Sequence, residues 1–179
     1  MRRVLVALLL LAAPARAETG AELFAGIATV LQHPRCMNCH TTTDWPRQTD
    51  ARWRHAMNAR RGAEGHGLPG MRCSTCHQAA NQAAAGVPGA LHWHLAPLSM
   101  GWEGLAPGAL CRVLVDPSRN GGRDAAALAR HMAEDPLVAW AWAPGRTAAG
   151  TDRASPPMPH AAFAALVRRW AEAGAACPP

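Results

Sequence analysis

Apolar residues recur at helical spacing in three stretches of this chain. Leu23, Phe24, Ile27, Val30 and Leu31 follow one another at intervals of three and four, which predicts an amphipathic helix. Thr19-Gly20-Ala21-Glu22 places a capping box in front of that helix, and His33-Pro34 is expected to end it. Asp124 is positioned to cap a short helix carrying Leu128, His131 and Met132. The clearest stripe is the last. Phe163, Leu166, Val167 and Trp170 share one face of a helix from about His160 to Ala173, with Gly174 where a C-terminal cap belongs. Between about residues 41 and 110, Gly, Pro and Ala dominate and periodicity fades, so loops and short helical turns are expected. No segment alternates convincingly as a strand. The pattern predicts a mostly α fold with extensive loops, opened by an N-terminal helix and closed by a C-terminal amphipathic one.

A fourth apolar run has a different character. Val4 to Ala13 is unbroken, follows Arg2 and Arg3, and precedes the small-x-small sequence Ala15-Arg16-Ala17. This reads as a secretory leader cut after Ala17, and it is well short of the roughly twenty residues that span a bilayer. No later stretch is long and apolar enough to cross a membrane. Residues 18–179 are then expected to form a single domain in the periplasm. Without Arg2, Arg3 and Arg16, fifteen basic residues face twelve acidic ones, and all the basic ones are scattered arginines. That distribution gives no footprint for nucleic acid. Phe occurs only at positions 24 and 163 and Tyr is absent, so the chain is poor in the large side chains that build a core.

The cysteines change the picture. Cys36-Met37-Asn38-Cys39-His40 and Cys73-Ser74-Thr75-Cys76-His77 each place two thiols three positions apart, with a histidine directly after the second. Two thiols at that spacing can add to the two vinyl groups of one porphyrin, and the adjacent imidazole can reach its iron. The pattern signals c-type haem attachment. A four-cysteine zinc site, a thioredoxin-like redox motif or two structural disulfides would each use the thiols but need no histidine after either pair. The expectation is two covalent haems c, bound through Cys36, Cys39, Cys73 and Cys76, with His40 and His77 as iron ligands. The first module is expected at about residues 18–70, the second at 71–110, and a helical part at 111–179. Two buried porphyrins would supply the apolar bulk that the side chains lack. Cys111 and Cys177 remain, and in an oxidising compartment they are expected to pair.

The sixth ligands are less directly readable. His55 lies fifteen residues beyond His40, and His92 lies fifteen beyond His77, a weak repeat that favours His55 for one iron and His92 or its neighbour His94 for the other. Two bis-histidine haems have lower potentials than Met/His haems. Met158, in Pro156-Pro157-Met158-Pro159 before the last helix, competes for the same role, as do Met100 and His131.

Several segments together carry a family resemblance: residues 33–40 around the first motif, Leu91-His92-Trp93-His94-Leu95-Ala96-Pro97, residues 116–123, and Trp140-Ala141-Trp142. The chain resembles exported dihaem c-type cytochromes that are often labelled isoquinoline 1-oxidoreductase subunits. The resemblance implies an electron carrier. Its donor would be a periplasmic dehydrogenase such as a molybdenum hydroxylase, and its acceptor a component of the respiratory chain. The rival expectation is a dihaem enzyme such as a peroxidase, which would keep one iron open to substrate.

Overall fold

The computed structural model describes residues 18–179, so the leader read at residues 1–17 lies outside the described residues. The fold is a mixed, mostly helical small domain, 38% helix and 10% strand, with the N-terminal and C-terminal helices packed together.

Helix α1, Gly20–Leu31, begins at the capping box read from the sequence. Thr19 Oγ1 accepts from the Glu22 N–H at 3.2 Å, and the Glu22 carboxylate accepts from the Thr19 N–H at 2.7 Å. Helix α1 ends at Leu31, just before His33-Pro34. His33 Nδ1 accepts from the Arg35 N–H, Pro34 takes the first helical position, and a short helix α2, Pro34–Met37, restarts at once. The first C-x-x-C-H motif therefore begins inside a helical turn.

Residues 38–101 hold three two-stranded antiparallel ribbons, where the sequence pattern predicts no sheet. They are β1 (Arg47–Gln48) with β2 (Trp53–Arg54), β3 (Gly67–Leu68) with β4 (Met71–Arg72), and β5 (Ala80–Gln82) with β6 (Val87–Ala90). Ribbons this short do not stand alone in water, and polar clamps hold them. Glu103 accepts from Arg47 at 3.1 Å, from Arg52 at 2.6 Å and from both the N–H and hydroxyl of Thr42 at 3.0 Å, which fixes the first ribbon. Asn81 accepts from the Gly89 N–H and the Trp140 Nε1–H and donates to the Ala143 carbonyl, which docks the third ribbon on the C-terminal part.

The remaining helices are α3 (Pro107–Val115), α4 (Ala125–Glu134), α5 (Pro136–Ala139) and α6 (His160–Glu172), with a 3-10 turn at Trp140–Trp142. Asp124 caps α4 by accepting from the Ala127 N–H. Helix α6 ends in a Schellman arrangement: Gly174, at φ 86°, lets the Ala175 N–H reach the Trp170 carbonyl and its own N–H reach that of Ala171. Helices α1, α3, α4 and α6 enclose the core, in which Phe24, Ile27, Leu110, Leu114, Leu128, Phe163, Val167 and Trp170 are fully buried. A disulfide joins Cys111 on α3 to Cys177 in the tail, a separation of 66 residues. On the chain-entropy model a loop of that length stabilises the fold by about 4 kcal/mol.

The buried apolar cluster has a gap in sequence. It draws nothing from between Met37 and Trp102. The segment containing the end of the first motif and all of the second adds to that cluster only the half-buried Met100, with Ala90 and Leu95 buried outside it. Among the described residues, no helix is long and apolar enough to cross a membrane.

Candidate functional site

Both C-x-x-C-H motifs adopt the same turn. The N–H groups of Cys39 and His40 both donate to the Cys36 carbonyl at 3.1 Å, and those of Cys76 and His77 both donate to the Cys73 carbonyl, at 3.2 and 2.9 Å. One helical turn of this kind brings residues i, i+3 and i+4 to a common face. Two thiols and an imidazole are thereby presented together, twice.

The two imidazoles are also held alike. The His40 ring uses Nδ1 to donate to the Met100 carbonyl at 3.0 Å, and the His77 ring uses Nδ1 to donate to the Pro88 carbonyl at 2.7 Å. A carbonyl only accepts, so in the neutral ring Nδ1 carries the proton and Nε2 keeps its lone pair. This outer hydrogen bond is what fixes the tautomer and orientation of a metal-bound histidine. Each ring further stacks on a tryptophan: His40 on Trp102, with ring centres 3.3 Å apart, and His77 on Trp93 at 4.4 Å. Desolvation pushes the His40 pKa down to about 3, against the opposing Met100 hydrogen bond, and lowers that of His77 as well. Both rings are neutral at physiological pH, as a metal ligand requires.

The cysteine chemistry is consistent with this. Desolvation pushes Cys36 up to about 12, with Cys39 adding to the effect. Cys39 is raised to about 11 by desolvation and by Cys73. Both are protonated thiols at neutral pH. None of Cys36, Cys39, Cys73 and Cys76 is in a disulfide, whereas Cys111 and Cys177 are paired. Among the described residues, no three His, Cys, Asp or Glu side chains converge to hold a metal ion. A porphyrin iron does not need such a cluster, because the macrocycle supplies four of its ligands and the protein only the axial ones.

The first motif opens onto a cleft between the helical core and residues 94–102. It is lined by Cys36, Cys39 and His40 on one side, by the core side chains Leu31, Leu114, Leu128 and Phe163, and by His94 and His131. The space enclosed, counting what is open to solvent, is about 1120 Å³. Arg35 and Trp102 also line it, and Arg35 Nε and Trp102 Nε1 are buried donors without a hydrogen-bond partner. Orphaned donors at the edge of an apolar cleft suit a flat hydrophobic group with acidic substituents, which describes a haem and its propionates. The residues present fit the cofactor.

The second motif lies nearer the surface. Cys76 is exposed and no core residue covers it, while the segments beside it expose Trp53 (69%) and Met57 (70%) as well as Leu68, Met71 and Leu91. The two motifs adjoin: Cys39 and Cys73 are near enough to influence one another, and Trp93, stacked on His77, meets Trp140 edge-on at 4.8 Å, a residue that lines the first cleft.

The histidines and methionines weighed as sixth ligands separate clearly. His94 lines the first cleft and its Nδ1 donates to the His92 carbonyl, leaving Nε2 free. His131 lines the same cleft, with Nδ1 3.4 Å from the Asp135 carboxylate. His55 is not there. Its ring centre lies 6.0 Å from that of His77, and its Nδ1 donates to the Ala56 carbonyl. His92 is exposed, in left-handed backbone at φ 59°, and contributes its carbonyl. Met158 packs against the helical core, accepts from Trp142 Nε1 through its carbonyl and is not among the residues lining the cleft. Met100 lines the cleft beside the His40 ring that it anchors. The tryptophan stacking partners and the Trp93–Trp140 contact were not singled out from the sequence. The only signal for them was the unusual tryptophan content of a chain poor in other aromatics.

The chain matches no family model, and no curated protein or solved structure is significantly similar to it.

Proposed function

We propose that this chain is a periplasmic dihaem cytochrome c that carries electrons between proteins. The observation that carries the reading is the duplicated arrangement of two cysteines and a histidine on one turn, with the imidazole Nδ1 held by a backbone carbonyl and the ring stacked on tryptophan. Cys36 and Cys39 attach one haem and Cys73 and Cys76 the other, each S–H adding across a vinyl double bond with no net oxidation. His40 and His77 present Nε2 to the two irons. Each haem, when bound, supplies an iron that takes up and releases a single electron. Arg35 and Trp102 offer donors to the propionates of the first, and Leu31, Leu114, Leu128 and Phe163 exclude water from it. The resemblance noted above makes a periplasmic dehydrogenase of the molybdenum-hydroxylase type its electron donor and the respiratory chain its outlet.

A carrier holds both irons six-coordinate in either oxidation state, and histidines with free Nε2 stand ready in both places. The dithionite-reduced protein is therefore expected to show an optical spectrum that carbon monoxide leaves unchanged, and to titrate reversibly as two one-electron centres. Uptake of carbon monoxide by the native reduced protein would reveal an open iron and favour a dihaem enzyme such as a peroxidase.

A further inference from the structure

We propose that His55 is the sixth ligand of the second iron, opposite His77, so that the hairpin following the first motif closes the second haem site. This rests on the dihaem reading above. The sequence repeat favours His55 for one of the two irons without saying which.

The ring separation favours the second iron. Two imidazoles on opposite sides of one iron, each bonded at about 2.0 Å with its ring centre about 1.1 Å behind the nitrogen, have centres about 6 Å apart. The His55 and His77 rings lie 6.0 Å apart, with their planes at 73°. Both rings spend Nδ1 on a backbone carbonyl, Ala56 for one and Pro88 for the other, so Nε2 is the free nitrogen on each. The first cleft, by contrast, has His94 and His131 among its lining residues and does not have His55.

His55 is also held where it is. Its N–H donates to the Pro46 carbonyl at 3.0 Å, continuing the β1–β2 ribbon, and Glu103 clamps that ribbon through Arg47 and Arg52. Trp53 and Met57, two residues to either side of His55, are the most exposed large apolar side chains of the described residues. A porphyrin between His55 and His77 gives them a hydrophobic surface to cover. The consequence is an interlocked molecule, in which the second haem is attached by one segment and ligated by another that belongs to the first motif's surroundings.

The test counts low-spin haems per chain by electron paramagnetic resonance and near-infrared magnetic circular dichroism. It compares the oxidised holoprotein with H55A, H77A, H55A/H77A and H40A/H55A. A pyridine haemochrome assay on every sample checks that two haems remain attached. Two low-spin haems are expected in the parent and one in H55A. One is again expected in H55A/H77A, since both substitutions act on the same iron, and none in H40A/H55A. Added imidazole should restore the second low-spin signal in H55A. Two low-spin haems in H55A would overturn the assignment, and so would none in H55A/H77A, which would place His55 on the other iron. A parent chain without two haems would overturn the dihaem reading and this inference with it.

Discussion

Replacing Cys36 and Cys39 together with alanine is expected to cost the protein its ordered helical fold, whereas replacing Cys73 and Cys76 removes one haem and leaves that fold in place. The difference follows from where the two motifs sit. The first opens onto a cleft whose walls are core side chains of α1, α3, α4 and α6, namely Leu31, Leu114, Leu128 and Phe163. Left empty, the cleft strips these core side chains of packing partners on one side, which costs about 24 cal/mol per Å³ of sealed void, in a domain whose whole stability is of the order of 5–15 kcal/mol. Two buried donors, Arg35 Nε and Trp102 Nε1, would add to the cost. The second motif touches none of the buried apolar cluster. Far-UV circular dichroism during thermal unfolding, with haem content measured on the same samples, checks both halves. The C36A/C39A chain should show little cooperative unfolding. The C73A/C76A chain should unfold cooperatively with one haem attached.

Arg61→Ala is expected to destabilise the holoprotein by about 3–5 kcal/mol, each buried hydrogen bond to a charged group being worth about 1.5–3 kcal/mol. Arg61 is 4% exposed, and its guanidinium donates to the Ala96 carbonyl, to the Thr41 carbonyl and hydroxyl, and to the Thr43 carbonyl. Thr41 directly follows His40, and Ala96 stands two residues beyond His94. One planar side chain thus ties together the segments that carry two of the histidines lining the first cleft. Truncation leaves the buried Thr41 carbonyl and the half-buried Ala96 carbonyl without that donor. Arg61→Lys should recover only part of the loss, because an ammonium cannot reproduce the planar fork. Denaturant unfolding of the haem-loaded protein gives the magnitude. A growing high-spin fraction at one haem in R61A would report the loosened cleft wall.

Much of the helical frame was legible in the sequence. The capping box at Thr19 and Glu22, the Asp124 cap and the Gly174 terminus each rest on a local side-chain or backbone preference, and all three form. The pairing of Cys111 with Cys177 followed from counting the cysteines left over. Helix α3, Pro107–Val115, was missed because it opens on Pro107-Gly108 and its stripe is only Leu110, Val113 and Leu114. The three ribbons were missed because strands of two to four residues carry no readable alternation. They exist because Glu103 and Asn81 clamp them from a distance.

At the site, the residues of the two motifs were legible because their spacing within one turn is a local property. Which histidine stands opposite which was not. His55 meets His77 across 22 positions of chain, and His94 reaches the cleft of a motif more than fifty residues earlier. Pairings of that kind depend on how ribbons and loops are tied down by Arg61, Glu103 and Asn81, long-range contacts that no periodicity announces.

A pyridine haemochrome assay on the purified, acid-acetone-extracted polypeptide counts its covalent haems. Two haems c per chain that stay with the denatured polypeptide are the predicted result. A polypeptide that releases its haem on extraction, or that never carried any, would rule out haem attachment at Cys36, Cys39, Cys73 and Cys76.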